Sequence, residues 1–364
     1  MIKHCLAALG VALLTATVAV GQDAAPAPAA APPARQGPGV QAAQDAREPA
    51  VLAQCKHAPP AAPAAGPRPA ANGAAPAGPA DYLVPAIPGV VEAGQRWKSI
   101  WSETGNNADG IIATRDGGLL VAQNDNSDVV KLDPDGHASV LYRDTHTGGA
   151  LSMNTHGVLF IDEREFNPAI WELAPKRRLF ANRFEDDPLD CLGSVLNDLS
   201  AASNGGVYFT MGGLFYADPH GKVTQYGENL RTNGIILSAD EKTLYVTNFG
   251  TLVAFDVQPD GSLKNQRVLA TLPGGGGDGS TIDSEGRIYV TARNGIVVLA
   301  ADGTVLGTIP TPFGTISVAF SGADKKTLYA VVVERSTKPG VAGIAGGQIV
   351  ALPMLAHGYR GRAK

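Results

Sequence analysis

The stretch Asn233-Gly-Ile-Ile-Leu-Ser-Ala-Asp-Glu-Lys-Thr-Leu-Tyr-Val-Thr-Asn248 decides how the rest of the chain is read. Ile235, Ile236 and Leu237 make a short apolar run, Ala239-Asp-Glu-Lys242 turns the chain, and Leu244-Tyr-Val-Thr247 is the β-branched and aromatic kind of segment that packs in a sheet. The phrase is therefore strand, charged turn, strand, opened by a polar Asn-Gly step. It recurs. Copies begin at Asp109 (Asp-Gly-Ile-Ile-Ala), Gly148 (Gly-Gly-Ala-Leu-Ser), Asn197 (Asn-Asp-Leu-Ser-Ala), Asp278 (Asp-Gly-Ser-Thr-Ile) and Ser317 (Ser-Val-Ala-Phe-Ser). Successive first residues, 109, 148, 197, 233, 278 and 317, lie 39, 49, 36, 45 and 39 residues apart. A period of roughly 40 to 45 residues built of short strands is the size of one propeller blade.

Between the copies, strands such as Leu252-Val-Ala-Phe-Asp-Val257 run into Asp-Gly hairpin turns. Helical periodicity is almost absent after residue 90. The fold class expected is all-β, a six-bladed β-propeller over residues 81–364. Arg96–Ser102 at the front and Gln348–Pro353 at the back are left to pair and close the ring, leaving only short protected sheet edges.

What precedes the propeller has other signatures. Lys3 and His4, an apolar run from Leu6 to Val20 and the small residues Ala19-Val-Gly21 read as a secretory signal peptide over 1–21. From 22 to 80 the chain is dominated by Ala, Pro and Gly, a composition that cannot bury enough apolar surface to fold, so a disordered linker is expected. A periplasmic or secreted protein without stable membrane insertion after signal cleavage follows. The net charge of −5 and the absence of a long basic stripe argue against nucleic acid as a partner. Cys55 falls in the linker and Cys191 in the propeller; one disulfide between them is conceivable in an oxidising compartment, but two cysteines make no framework.

Each copied phrase is expected to be the innermost strand of its blade, with its first residue at one mouth of the central channel. Read round the ring, those residues are Asp109, Gly148, Asn197, Asn233, Asp278 and Ser317. Two carboxylates and two amide carbonyls converging on an axis make a hard-oxygen site suited to Ca2+, with Mg2+ or Mn2+ next. None of the seven His residues occupies a ring position, which leaves Zn2+ the least suited ion. The competing reading is that Asn-Gly and Asp-Gly are ordinary turn residues that start strands. Gly274-Gly-Gly-Gly-Asp-Gly279 has the letters of a dinucleotide loop, but a strand rather than a helix follows, so no helix N-terminus awaits a phosphate. Neither a GxSxG elbow nor an HExxH helix occurs.

Three pieces in this order, Leu196-Asn-Asp-Leu199, Thr232-Asn-Gly-Ile235 with Lys242-Thr-Leu-Tyr-Val246, and Gly277-Asp-Gly279 with Ile282-Asp283, resemble the SMP-30/gluconolactonase/LRE family of six-bladed propellers. The resemblance runs from about Asn106 to Tyr329. It implies a divalent cation, usually calcium, with the family's metal-binding asparagines at Asn197 and Asn233 and its aspartate at Asp278. The family's first-blade glutamate falls on Asp109, shorter by one methylene. The arginine with which related enzymes hold sugar lactones has no direct counterpart in the second blade, and Arg164 is its nearest substitute there.

The function expected is a metal-dependent lactonase of gluconolactonase type acting on a small-molecule substrate, a sugar lactone or related ester. Asp278 would be the general base, with Asp109, Asn197, Asn233 and Asp278 on the ion and Arg164 on the substrate. Two alternatives share the site: a non-catalytic envelope propeller with a structural metal, and an esterase or phosphotriesterase.

Overall fold

A computed structural model describes residues 46–57, 59, 83–104, 108–293, 295–335 and 344–363. The expected signal peptide and most of the expected linker lie outside these residues. The described chain is nearly all strand, and six four-stranded antiparallel sheets form the blades.

The Asn233 phrase shows how each blade is made. Its apolar run is the strand Thr232–Leu237 and its aromatic run the strand Thr243–Asn248; Thr251–Val257 and Leu263–Thr271 complete the sheet. Ile235 pairs with Val246 and Leu237 with Leu244, antiparallel, across the turn at Ser238–Lys242. Glu241 sits in that turn at a φ of 56°, and the Asp240 carboxylate accepts the Lys242 N–H at 3.1 Å. The other blades open on Ala108–Ala113, Leu151–Met153, Asp198–Ala201, Ser280–Ile282 and Gly314–Ser321.

Closure joins the two ends of the described propeller. The strand Lys98–Thr104 pairs antiparallel with Ile344–Pro353 and becomes the outermost strand of the sixth blade. The blades hold together because both faces of every sheet are apolar. Ile111, Leu119 and Val121 of blade 1 pack against Val331 and Ile349 of blade 6, while Ile161 and Leu151 of blade 2 pack against Ile112 and Leu120 of blade 1. Burying each such side chain stabilises the ring by about 1.5–3 kcal/mol.

Two flanking segments cover the ends of this ring. Residues 46–57, within the expected linker, are placed against the propeller and carry a short helix, Glu48–Leu52. A disulfide joins Cys55 to Cys191, and the Asp187 carboxylate accepts the backbone N–H groups of Lys56 and His57 at 2.9 Å each. Composition argued for disorder throughout; what overrides it is a covalent bond and a carboxylate supplied from far along the chain. These contacts fall on the connection between blades 2 and 3, which carries a small ribbon (Arg183–Phe184 with Asp187–Pro188) and the 3-10 turn Leu189–Leu192.

At the other end of the propeller the C-terminal segment runs across the ends of the innermost strands. The Gly358 N–H donates to the Lys325 carbonyl of blade 6 at 2.8 Å, and Tyr359 N–H reaches the Ile282 carbonyl of blade 5 at 3.3 Å. Arg362, buried, donates through Nη2 to the Leu237 carbonyl of blade 4 at 2.5 Å, and Ala363 forms a bridge with Met153 of blade 2. Blades 5 and 2 face each other across a six-membered ring, so the tail crosses the channel.

Candidate functional site

The innermost strands begin at the mouth opposite the tail, and hydrogen bonds at their first residues fix which positions are equivalent. Gly110, after Asp109, donates its N–H to the Gly149 carbonyl at 2.6 Å; Gly279, after Asp278, donates to the Ile316 carbonyl at 2.9 Å. Gly234, after Asn233, lies against the backbone carbonyl of Asp278. Strand register agrees: Ile111, Leu151, Leu199, Ile235, Ser280 and Val318 each pair with the second strand of their blade. Each lies two residues beyond its ring position. The ring is therefore Asp109, Gly149, Asn197, Asn233, Asp278 and Ile316. Alignment of the phrases had put Gly148 and Ser317 in blades 2 and 6, one residue out of step in opposite directions. Ser317 is buried, and its hydroxyl accepts the Ile111 N–H at 3.4 Å.

The four oxygen-bearing residues stand at the starts of their innermost strands, at the same end of the ring. The second strands help to set them: Thr210 Oγ1 donates to the Asn233 carbonyl at 2.5 Å, and Thr247 Oγ1 to that of Gly234 at 3.3 Å. The Asn233 Oδ1 atom is buried and has no hydrogen-bond partner among the described residues. Leaving a buried amide oxygen unpaired is costly, and it marks a position from which a ligand is to be gripped.

Asp278 lies deep in the channel while keeping partial access to water. Burial is the main reason its carboxyl is pushed up to about 8, and the charges of Asp109 and Asp198 push the same way. Asp198, next to Asn197, is buried; its Oδ2 accepts the Ile235 N–H of the next blade at 3.0 Å. Asp162 is also buried, accepts the Gly149 N–H at 2.9 Å, and is raised to about 7 by burial against the lowering effect of Arg164. An all-oxygen donor set, an orphaned amide oxygen and a buried Asp278 carboxyl beside two further carboxylates fit a hard divalent cation.

Arg164 is inside the ring. Its Nε donates to Asp162 Oδ2 at 3.0 Å, its Nη1 to Asp109 Oδ2 at 2.5 Å, and its Nη2 to the Asn197 carbonyl. It is 8% exposed, and its guanidinium fills the space a side chain at Gly149 would need. Asp109 is thus paired with an arginine at the position where sequence reasoning placed a metal ligand.

The mouth also carries a pair that the sequence did not single out. His146 Nδ1 lies 2.7 Å from Glu163 Oε2, with the imidazole half exposed and the carboxylate buried, and Arg177 Nη2 donates to Glu163 Oε1 at 2.6 Å. The His146 carbonyl accepts the Arg164 N–H at 3.0 Å, so the loop that carries the histidine also positions the arginine. A second acidic group, Asp133, Asp135 and His137, lies on an exposed hairpin of blade 1, where Asp133 Oδ1 accepts the N–H groups of Asp135 and His137 at 3.0 and 2.8 Å. That arrangement is a turn stabilised by its own carboxylate.

Fold and site together define a propeller whose chemistry sits at one channel mouth. Residues 137–334 match the SMP-30/Gluconolactonase/LRE-like region, and the chain belongs to that family. It is 30% identical to a gluconolactonase of Zymomonas mobilis over 36% of this chain and 46% of that protein. The chain spans 27–46% of the length of that relative and of two Aspergillus oryzae lactonohydrolases. Among solved structures it superposes on the gluconolactonase XC5397 of Xanthomonas campestris with a TM-score of 0.59 at 22% identity, covering 72% of this chain and 90% of the other. The calcium-binding protein regucalcin of Agrobacterium tumefaciens gives 0.53 at 18% identity, covering 70% and 93%. At these identities the likeness shows the fold.

Proposed function

We propose that the protein is an exported lactonase that depends on a divalent cation, calcium first, held at the channel mouth. The observation that carries the reading is the Asn233 Oδ1 atom, buried and without a hydrogen-bond partner among the described residues, at the start of the strand between those that follow Asn197 and Asp278. These residues would hold the ion, with Asp109 across the ring. When bound there, the ion would supply Lewis-acid charge for a substrate carbonyl oxygen.

The protein's own groups do the rest. Asp278, in contact with both ring and water, takes a proton from the attacking water as its oxygen bonds to the carbonyl carbon. The ring C–O bond then breaks, and the released alkoxide oxygen takes up a proton to leave as a hydroxyl. Arg164 offers positive charge to substrate oxygens from the second-blade side. Names borne by relatives, gluconolactonase and lactonohydrolase, support a lactone as the substrate class. Export is supported by the N-terminal sequence and by the Cys55–Cys191 disulfide, which suits an oxidising compartment.

The test is metal analysis of the purified full chain together with hydrolysis of a panel of aldonolactones, simple esters and phosphotriesters, with and without chelator. Calcium at one equivalent and chelator-sensitive lactone opening are expected. Hydrolysis of no lactone by the calcium-loaded protein would overturn the reading.

A further inference from the structure

The second-blade ring position carries no side chain, and the space above Gly149 is taken by a guanidinium that reaches in from the end of the neighbouring strand. That guanidinium does not dangle. It is fixed to Asp162 in its own blade, to Asp109 in the blade before and to the Asn197 carbonyl in the blade after, so it spans three of the six blades. Both hydrogen bonds that Asp109 accepts fall on Oδ2, from Arg164 Nη1 at 2.5 Å and from Asn124 Nδ2 at 3.3 Å. That oxygen is therefore engaged by the second-blade arginine rather than left free for an ion. The Arg164 side chain is 5% exposed and that of Asp109 21%, so solvent screens this charge-assisted bond only in part.

We infer that Arg164 is a resident cation of the oxygen ring with Asp109 as its counter-ion, and that a divalent ion loaded here draws its side-chain ligands from Asn197, Asn233 and Asp278. The inference rests on the cation site proposed above and refines it. One sector of the ring, blades 1 to 3, carries a permanent monocation set between the Asp109 and Asp162 carboxylates. The opposite sector, blades 3 to 5, is left with the unpartnered Asn233 oxygen and the Asp278 carboxyl. Two consequences follow. The divalent ion keeps an extra water where a first-blade carboxylate would otherwise bind, and it is bound more weakly than the number of ring oxygens implies, because the guanidinium repels it.

Both consequences can be read without any substrate. Europium(III), a luminescent stand-in for calcium, reports its number of bound waters through its lifetimes in H2O and D2O. Wild type and Asp109→Asn are expected to give the same number. Arg164→Gln frees Asp109 and is expected to lose about one bound water and to bind calcium at least about tenfold more tightly by calorimetry. Asp109→Asn in the Arg164→Gln background should restore that water. Arg164→Lys, which keeps the charge, should stay near wild-type affinity. A gain of one water in Asp109→Asn alone makes Asp109 a direct ligand and overturns the inference, and this comparison decides the matter even where Arg164→Gln does not fold. Unchanged or weaker calcium binding in folded Arg164→Gln also overturns it. Failure of wild type and every variant to bind either ion is a different result, which removes the cation reading itself.

Discussion

Gly234 packs its Cα directly against the backbone carbonyl of Asp278, leaving no room for a Cβ. The contact joins blades 4 and 5 at the level of the ring, immediately after Asn233 and at Asp278 itself. Gly234 is therefore present for close approach of two backbones. Gly234→Ala is expected to destabilise the fold by about 1–3 kcal/mol through overpacking, and to weaken calcium binding by separating Asn233 from Asp278. Thermal unfolding and calcium calorimetry on the variant measure the two effects, and unchanged calcium affinity would count against the proposed ligand pair.

Asp278 gives a pH signature. In the ion-free protein its carboxyl is raised from 3.8 to about 8, chiefly by burial. The folded state then holds a proton that the unfolded state has released between those values. The stability this contributes is fully present on the acid side and is lost as pH rises through 8. A cation needs the carboxylate, so loading calcium at pH 7 is expected to release close to one proton, and calcium affinity should rise with pH between 6 and 8. Calorimetry in buffers of different ionisation enthalpy reads the proton directly. Asp278→Asn should abolish that release and lower lactone turnover by at least about a hundredfold.

The disulfide tests what holds residues 46–57 on the propeller. Cys55→Ser leaves the Asp187 carboxylate as the main tie to Lys56 and His57. Hydrogen exchange at these two amides should quicken by on the order of tenfold or more, while strand Thr243–Asn248 keeps its protection. Equal protection in the variant and the wild type would show that the carboxylate alone suffices.

Arg362 should be the anchor of the C-terminal segment. Its side chain is buried, bonded to the Leu237 carbonyl at 2.5 Å and to Glu241 at 3.3 Å. Arg362→Ala leaves the buried Leu237 carbonyl without this donor while Glu241 keeps Ser203 and partial solvent contact, a change that costs about 1–3 kcal/mol, and urea denaturation should show a loss of that order.

Much of this was legible in the sequence because the repeat is written twice over, in the period-two apolar pattern and in the turn residues between. Asn197, Asn233 and Asp278 could be set at the starts of innermost strands because each is followed at a fixed distance by a strong strand. Gly148 and Ser317 were misplaced because Gly148-Gly149 offers two equal starting points and the sixth copy lacks an Asn-Gly or Asp-Gly step to align on. Arg164 could be picked out as a charged residue at the end of a blade strand, but not its reach over Gly149, which depends on a side chain missing from an adjacent strand. Asp198 was passed over as a strand residue, though an Asp opening an innermost strand was the available signal. His146 and Glu163, 17 residues apart, carry no signal of their pairing. Nor did composition reveal that residues 46–57 have a place on the propeller, since the cause lies in Asp187 and Cys191.

The crossing of the C-terminal segment gives the channel a floor. A propeller open at both ends would let a ligand enter on one side and leave on the other. With Gly358 to Ala363 laid from blade 6 to blade 2, traffic is confined to the mouth that holds Asn233 and Asp278. On the lactonase reading proposed above, substrate and opened hydroxy acid would have to pass each other through that single doorway.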